Sequence, residues 1–226
     1  AIYKTSNRRN GDRRRMIENI KGIYYLSKAY EKKHGENWYK IANKSCRDIA
    51  KKTTMHSAIV VGVLAALSPN NKWERNVIDA ENMCVAYKSG IPLSEVKVCT
   101  YNANKEKAIK ILGLLDSGSS NVYLDIRDIL NGNKVKAFFD CIYGYDLKET
   151  SSNTVCIDGH AKAIYMGEKF ALSSNSSNIT NKQYRVISQA YIDATREINQ
   201  SEGTSYLPYQ IQAITWVAWR RIHNIK

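Results

Sequence analysis

Met55-His-Ser-Ala-Ile-Val-Val-Gly-Val-Leu-Ala-Ala-Leu-Ser-Pro-Asn70 is the stretch on which the fold turns. Residues 55–67 are nearly all apolar. A short run of this kind is either a strand covered on both faces or a buried helix. The Val and Ile content suits a strand. Thirteen residues ending at Ser68-Pro69 suit a helix better, because the residue before proline is pushed out of helical backbone. A helix apolar on every side is a buried one, so other elements must cover it.

The flanking sequence supplies them. Over 12–33, Met16, Ile20, Ile23, Tyr24, Leu26 and Tyr30 recur at helical spacing. Residues 37–51 read as a short basic helix, 73–88 and 102–115 as amphipathic helices, and 122–130, 134–144 and 155–168 as shorter ones. Thr180 and Gln183 form a capping-box pattern that opens a helix to about Asn199. Pro208 suits the first turn of a last helix ending near Arg221. Loops are marked by DSGSSN (116–121), ETSSN (149–153) and SSNSSN (173–178), the last being the best linker. Three prolines and twelve glycines are few for an all-β chain rich in tight turns. The expectation is an all-α protein of two helical lobes. One is central, 53–168; the other joins 1–52 to 169–226.

The chain of 226 residues is 43% hydrophobic, enough for a core, and carries 34 Lys and Arg against 21 Asp and Glu, a net charge of +13. No apolar run approaches the ~18 residues of a membrane span, and the start shows no secretory h-region. Cysteines 46, 84, 99, 141 and 156 contain no C-x-x-C pair, so a zinc ribbon is excluded and reduced, buried thiols in a cytoplasmic protein are expected. H-E-x-x-H, the P-loop pattern and G-x-G-x-x-G are absent. Sequons at Asn43, Asn175 and Asn178 read as chance matches in an Asn-rich chain. Residues 1–52 hold 15 basic and 5 acidic residues, densest at Arg8, Arg9, Arg13, Arg14 and Arg15. Such clustering points to a polyanion, with DNA the expected partner. It lacks the interleaved large apolar residues of a membrane-surface helix.

Four segments, in order, resemble the helix-hairpin-helix DNA glycosylase superfamily of endonuclease III and the adenine mismatch glycosylase. Leu64-Ala-Ala-Leu-Ser-Pro-Asn70 looks like the L-L-S-x-Q segment, whose polar residue fills the hole left by an extruded base. Tyr101-Asn-Ala-Asn-Lys-Glu-Lys-Ala-Ile109 is similar to Y-N-x-K-A-x-x-I. Leu130-Asn-Gly-Asn-Lys-Val-Lys-Ala137 is similar to the hairpin L-P-G-V-G-x-K-T, and Cys156-Ile-Asp-Gly-His-Ala-Lys162 to V-D-T-H. The resemblance covers about 55–168. The ending, Gln210 to Arg220, resembles an uncharacterised set of phage proteins with recurring L-S-P and V-D-x-H segments. Asn131 stands where the hairpin has Pro, and Lys134 where it has its second Gly. Left-handed backbone is easy for Gly and tolerable for Asn, so Asn133 is the residue expected to take that role, one position early. The four-cysteine cluster of endonuclease III is missing, and no iron–sulfur cluster is expected.

The resemblance implies base excision from DNA. Breaking an N-glycosidic bond builds positive charge on the sugar, which a carboxylate beside C1′ stabilises. Asp158 is the candidate; as a residue type it equally suits a helix N-cap, and the two roles are compatible. Lys136 holds the position of the nucleophile of bifunctional members, where a Schiff base would add AP-lyase activity, or else it contacts phosphate. A neighbouring cation, Lys134 or Lys162, would activate it. Gly132, Asn133 and Lys134 would meet the DNA backbone through hairpin N–H groups, and a monovalent cation at the hairpin is implied by the family. Asn70 and Asn71 are candidates to enter the base stack. His160 would orient Asp158 or touch phosphate, and Arg13, Arg14 and Arg15 would add sequence-independent affinity. Trp73 stacks on a base or walls a cleft; Trp216 and Trp219 read as packing residues. Asp158 and the hairpin are expected on a cleft between the lobes. Two other classes fit the same residues: a DNA-binding protein on a glycosylase scaffold without catalysis, and a virion-associated protein that binds packaged DNA.

Overall fold

A computed structural model describes residues 2–145, 153–170 and 178–225, with side chains from residue 9 onward. Among these residues the protein is all-α, with eleven α-helices and no strand: α1 (Ile2–Leu26), α2 (Ala29–Glu36), α3 (Trp38–Thr53), α4 (Ser57–Leu67), α5 (Trp73–Lys88), α6 (Asn102–Gly113), α7 (Val122–Leu130), α8 (Asn133–Tyr143), α9 (Gly159–Met166), α10 (Asn181–Glu202) and α11 (Pro208–Ile222). Single 3-10 turns occupy Leu93–Glu95 and Leu114–Asp116. The helices fall into two compact units: residues 1–38 with 151–226, and residues 39–150.

The second unit is built around the apolar helix. Every residue of α4 from Ala58 to Leu67 is buried, and α5, α6, α7 and α8 all pack on it. Ile111 and Leu112 of α6, Ile126 and Leu130 of α7, and Phe139 and Ile142 of α8 are fully buried. Gly62 lets the packing close, since a Cβ there would lie 2.9 Å from Ile126 Cγ2. Asn43 of α3 is buried and donates to the Ile142 carbonyl at 2.9 Å, so that sequon is structural. Asn178 is exposed, and Asn175 lies outside the described residues.

In the first unit, Ile17, Ile20 and Tyr24 of α1 meet Ile164 of α9, Ile187, Tyr191 and Ile198 of α10, and Ile211, Ile214 and Trp219 of α11. The helix expected over 12–33 is two helices. α1 ends at Leu26; the Ser27 hydroxyl and N–H both bond the Tyr24 carbonyl. α2 then starts at Ala29, where the buried Glu31 carboxylate accepts the Lys28 N–H at 2.8 Å. The capping box forms as read, with Thr180 Oγ1 and Gln183 Oε1 exchanging backbone N–H bonds, and Pro208 opens α11. Over 155–168 only Gly159–Met166 is helical. The loops at 149–152 and 173–177 lie outside the described residues.

Candidate nucleic-acid interface and catalytic carboxylate

α7 and α8 are joined by only two residues, Asn131 and Gly132. Asn131 takes the left-handed φ of 62°, and the Gly132 N–H bonds the Leu130 carbonyl at 2.8 Å, an i to i+2 turn of the tight, strained kind. Asn131 therefore fills the conformational role expected of Asn133, which is the first residue of α8. Gly132 has φ −77°, and a Cβ there would make only an ordinary contact with Val135 Cγ2 at 3.8 Å, so neither backbone conformation nor a protein neighbour demands glycine there. Residues 131–134 are exposed, the N-cap Gly132 has no side chain to cover the first turn of α8, and that turn holds no acidic residue. An exposed helix start of this kind favours an anion through its N–H groups and dipole. Lys136 is half-buried and no carboxylate among the described residues pairs with it. Lys134 lies two residues away on the same helix, a spacing at which side chains do not face each other.

The turn after α4 is pinned at several points. Asn70 is exposed with φ 55°. Asn71 is held down: its side chain donates to the Leu67 carbonyl and, at 3.0 Å, to Asp79 Oδ2. Asp79, fully buried on α5, also accepts the Cys99 N–H at 2.8 Å and lies 2.8 Å from Arg75 Nε. Next to Cys99, the Thr100 hydroxyl donates to the Pro69 carbonyl at 2.7 Å. The start of α6 is thus tied to the Ser68–Asn71 turn. Further along α6, Lys107 Nζ reaches the Leu130 carbonyl at 2.9 Å, at the end of α7. Three of the four segments are therefore joined side chain to backbone within one unit. Thr100, Lys107 and Asp79 make those joints, and sequence reading assigned them no role; Lys107 stood inside a quoted segment, whereas nothing local distinguishes Asp79 from a surface acid. Trp73 is half-buried at the first position of α5.

Asp158 belongs to the other unit. It is the N-cap of α9, its Oδ1 accepting the Ala161 N–H at 2.8 Å. Oδ2 has no donor among the described residues, and Asp158 is only half-buried. His160 makes no hydrogen bond to it. The Val155–Ile157 segment that leads into Asp158 is buried and clamped by Tyr184 of α10, whose hydroxyl donates to the Val155 carbonyl at 2.7 Å and accepts the Ile157 N–H at 3.1 Å. Beneath α9, Tyr191 is fully buried and donates to the Ala161 carbonyl; burial, and secondarily the Asp158 charge, push its phenol well above the ordinary range. Lys162 Nζ is engaged with the Asn178 carbonyl at 2.7 Å.

The basic run is helical and largely paired. Arg13 donates to Asp193 at 2.6 Å, Arg14 bonds both Glu18 and Glu197, and Arg15 sits 3.9 Å from Asp12. Arg9 is exposed, and the side chain of Arg8 lies outside the described residues. Four cysteines are buried, but Cys99 is exposed. Among the described residues no group of three His, Cys, Asp or Glu side chains could hold a metal ion, and no helix is long and apolar enough to cross a membrane.

Over residues 3–223 the chain matches the family of unknown function DUF7178, and it belongs to that family. Neither the curated proteins nor the solved structures contain a match to it.

Proposed function

We propose that the chain is a DNA glycosylase of helix-hairpin-helix type, which grips duplex DNA and removes a modified base. The observation that carries this reading is the pair of bonds Thr100–Pro69 and Lys107–Leu130. Together they join an exposed Asn turn to an exposed helix start within one unit. In the proposal, the α7–α8 turn takes a phosphate through its backbone, Lys134 adds charge, and Asn70 enters the stack vacated by an extruded base. Asp158, whose Oδ2 is left over from the capping bond, supplies the carboxylate for the sugar. The C1′–N bond breaks, the base leaves with a proton taken from solvent, and water adds to C1′, Asp158 stabilising the cationic sugar, accepting the water's proton and returning it to solvent. Oδ1 stays on the Ala161 N–H, so capping and catalysis use different oxygens.

Lys136 gives this reading its lyase branch. Its neutral amine would displace the base at C1′ and open the sugar to a Schiff base, β-elimination would expel the 3′-phosphate and so nick the strand, and water would free the lysine. Borohydride reduction of the enzyme with a substrate duplex should then trap a covalent adduct that Lys136→Gln abolishes. Base release without trapping makes the enzyme monofunctional. The DNA-binding half has its own test: Lys134→Gln should lower the slope of log affinity against log salt by about one unit of phosphate contact. An unchanged slope contradicts this use of the hairpin. The competing reading, binding without catalysis, is favoured by the altered hairpin, with Asn131 for Pro and Lys134 for Gly, and by the absence of a bond between Asp158 and His160. It predicts tight DNA binding with no base release from any modified duplex.

A further inference from the structure

The C-terminal end of α11 holds a cleft of about 360 Å³ in the first unit, walled by Trp216, Val217 and Ile225 and rimmed by His34, Arg220 and Arg221. The two arginines are in different states. Arg221 is spent on the protein: its guanidinium bonds the buried Glu31 carboxylate at 2.5 Å and the Leu26 carbonyl at 3.0 Å. Arg220 has no carboxylate partner among the described residues. Its guanidinium instead lies over the Trp216 ring, 4.8 Å from the centroid, and Trp216 is itself braced edge-to-face by Trp38 at 6.2 Å. A guanidinium stacked on an indole is held flat with its N–H edge unused, the arrangement that suits a planar, bidentate oxyanion.

We propose that this cleft binds a nucleotide: its phosphate would sit on the Arg220 fork near His34, and its base against the Val217 and Ile225 wall. The volume is at the lower end for small-molecule sites and far exceeds what a bare phosphate fills. The mostly apolar wall calls for a ligand with an organic body, and Arg220, without a carboxylate partner among the described residues, calls for an anion. The negative end of the α11 dipole opposes the anion by a factor of about 2–5, whereas a charge-assisted hydrogen bond contributes a factor of about 10–150, so the arginine wins. The inference stands on this cleft alone and holds whether or not the protein excises bases.

The test is titration of the full chain and of Arg220→Gln with deoxyadenosine monophosphate, with adenosine, with inorganic phosphate and with a short single-stranded oligodeoxynucleotide. Arg220 is partly exposed and unpaired, so Arg220→Gln should keep its helical circular dichroism. The monophosphate should bind the native chain at least 10-fold more tightly than adenosine or phosphate alone, and lose at least 10-fold in Arg220→Gln. Tighter binding of the oligonucleotide, equally lost in the variant, would identify a strand as the source of the nucleotide; monophosphate binding alone would identify the free compound. Trp216→Phe, which keeps the apolar wall but weakens the cation–π platform, should lose a smaller factor. Equal affinity of native protein and Arg220→Gln for both nucleotide ligands, or binding of neither, overturns the proposal.

Discussion

Burial sets the chemistry of the five cysteines. Cys46 and Cys84 are pushed up to about 12, chiefly by desolvation, and Cys141 and Cys156 are also buried, whereas Cys99 is exposed. An aromatic disulfide reagent at neutral pH should therefore titrate one thiol rapidly in the native protein and five after denaturation; two fast thiols would contradict the packing of α3, α5, α8 or the segment leading into α9. The expectation of five buried thiols failed at Cys99 because solvent access there depends on the loop between α5 and α6, which has no period to read. The same limit applies at the α7–α8 turn. That an Asn takes the left-handed position was legible in Leu130-Asn-Gly-Asn133, but which Asn was not. The choice is made by the end of α7, where the Asn131 N–H still bonds the Arg127 carbonyl.

The helices meet at contacts sharp enough to test singly. α2 lies against α11 so closely that a Cβ on Gly35 would sit 2.5 Å from the Ile214 backbone nitrogen. Alanine in a helix gains about 1 kcal/mol over glycine, while overpacking costs about 1–3 kcal/mol. The overlap is with backbone, which cannot rotate away, so Gly35→Ala should destabilise by about 1–2 kcal/mol in urea unfolding. Gly22→Ala, in α1 with nothing near its Cβ, should stabilise by about 0.5–1 kcal/mol; equal effects at the two sites would contradict the α2–α11 contact. α1 and α10 are clamped by charge: Glu197 accepts Arg14 at 2.7 Å and Lys21 at 2.9 Å, and these bonds, Arg14 first, hold its carboxyl down to about 2. An unfolded Glu titrates near 4.3, so this contribution is complete above that pH and is lost as pH falls toward 2. Glu197→Gln should flatten the urea midpoint between pH 5 and pH 3 relative to the native protein; parallel curves would show that the clamp adds nothing. The helices themselves were readable because their apolar periods are strong. The break at Ser27-Lys28 was not, since Tyr24, Leu26 and Tyr30 keep the period across it while Ser27 turns its hydroxyl onto the chain. Tyr184 was likewise unreadable as a clamp, because its partners lie 27 and 29 residues earlier.

Taken as one molecule, the chain pairs a net charge of +13 with internal use of its densest basic run, since Arg13 and Arg14 hold α10 through Asp193 and Glu197. The proposed DNA grip therefore draws on Lys134 at the α8 start more than on the N-terminal run, a shift that the sequence alone could not make because α1 and α10 lie about 180 residues apart in the chain. Asp158 was legible as a cap; the tie of the Pro69 turn to the end of α7 through Thr100 and Lys107 required the packed helices. The proposed function rests on Asp158 acting on the sugar in the transition state. Its most direct test is single-turnover base release from a panel of modified duplexes by the native protein and by Asp158→Asn, with DNA affinity titrated in parallel. Asparagine retains a cap for α9, so the fold should persist. The account predicts release from at least one duplex, slowed about 10²–10³-fold in the variant, with affinity equal or slightly higher. Release by the variant at the native rate, or by neither protein on any duplex, would contradict it.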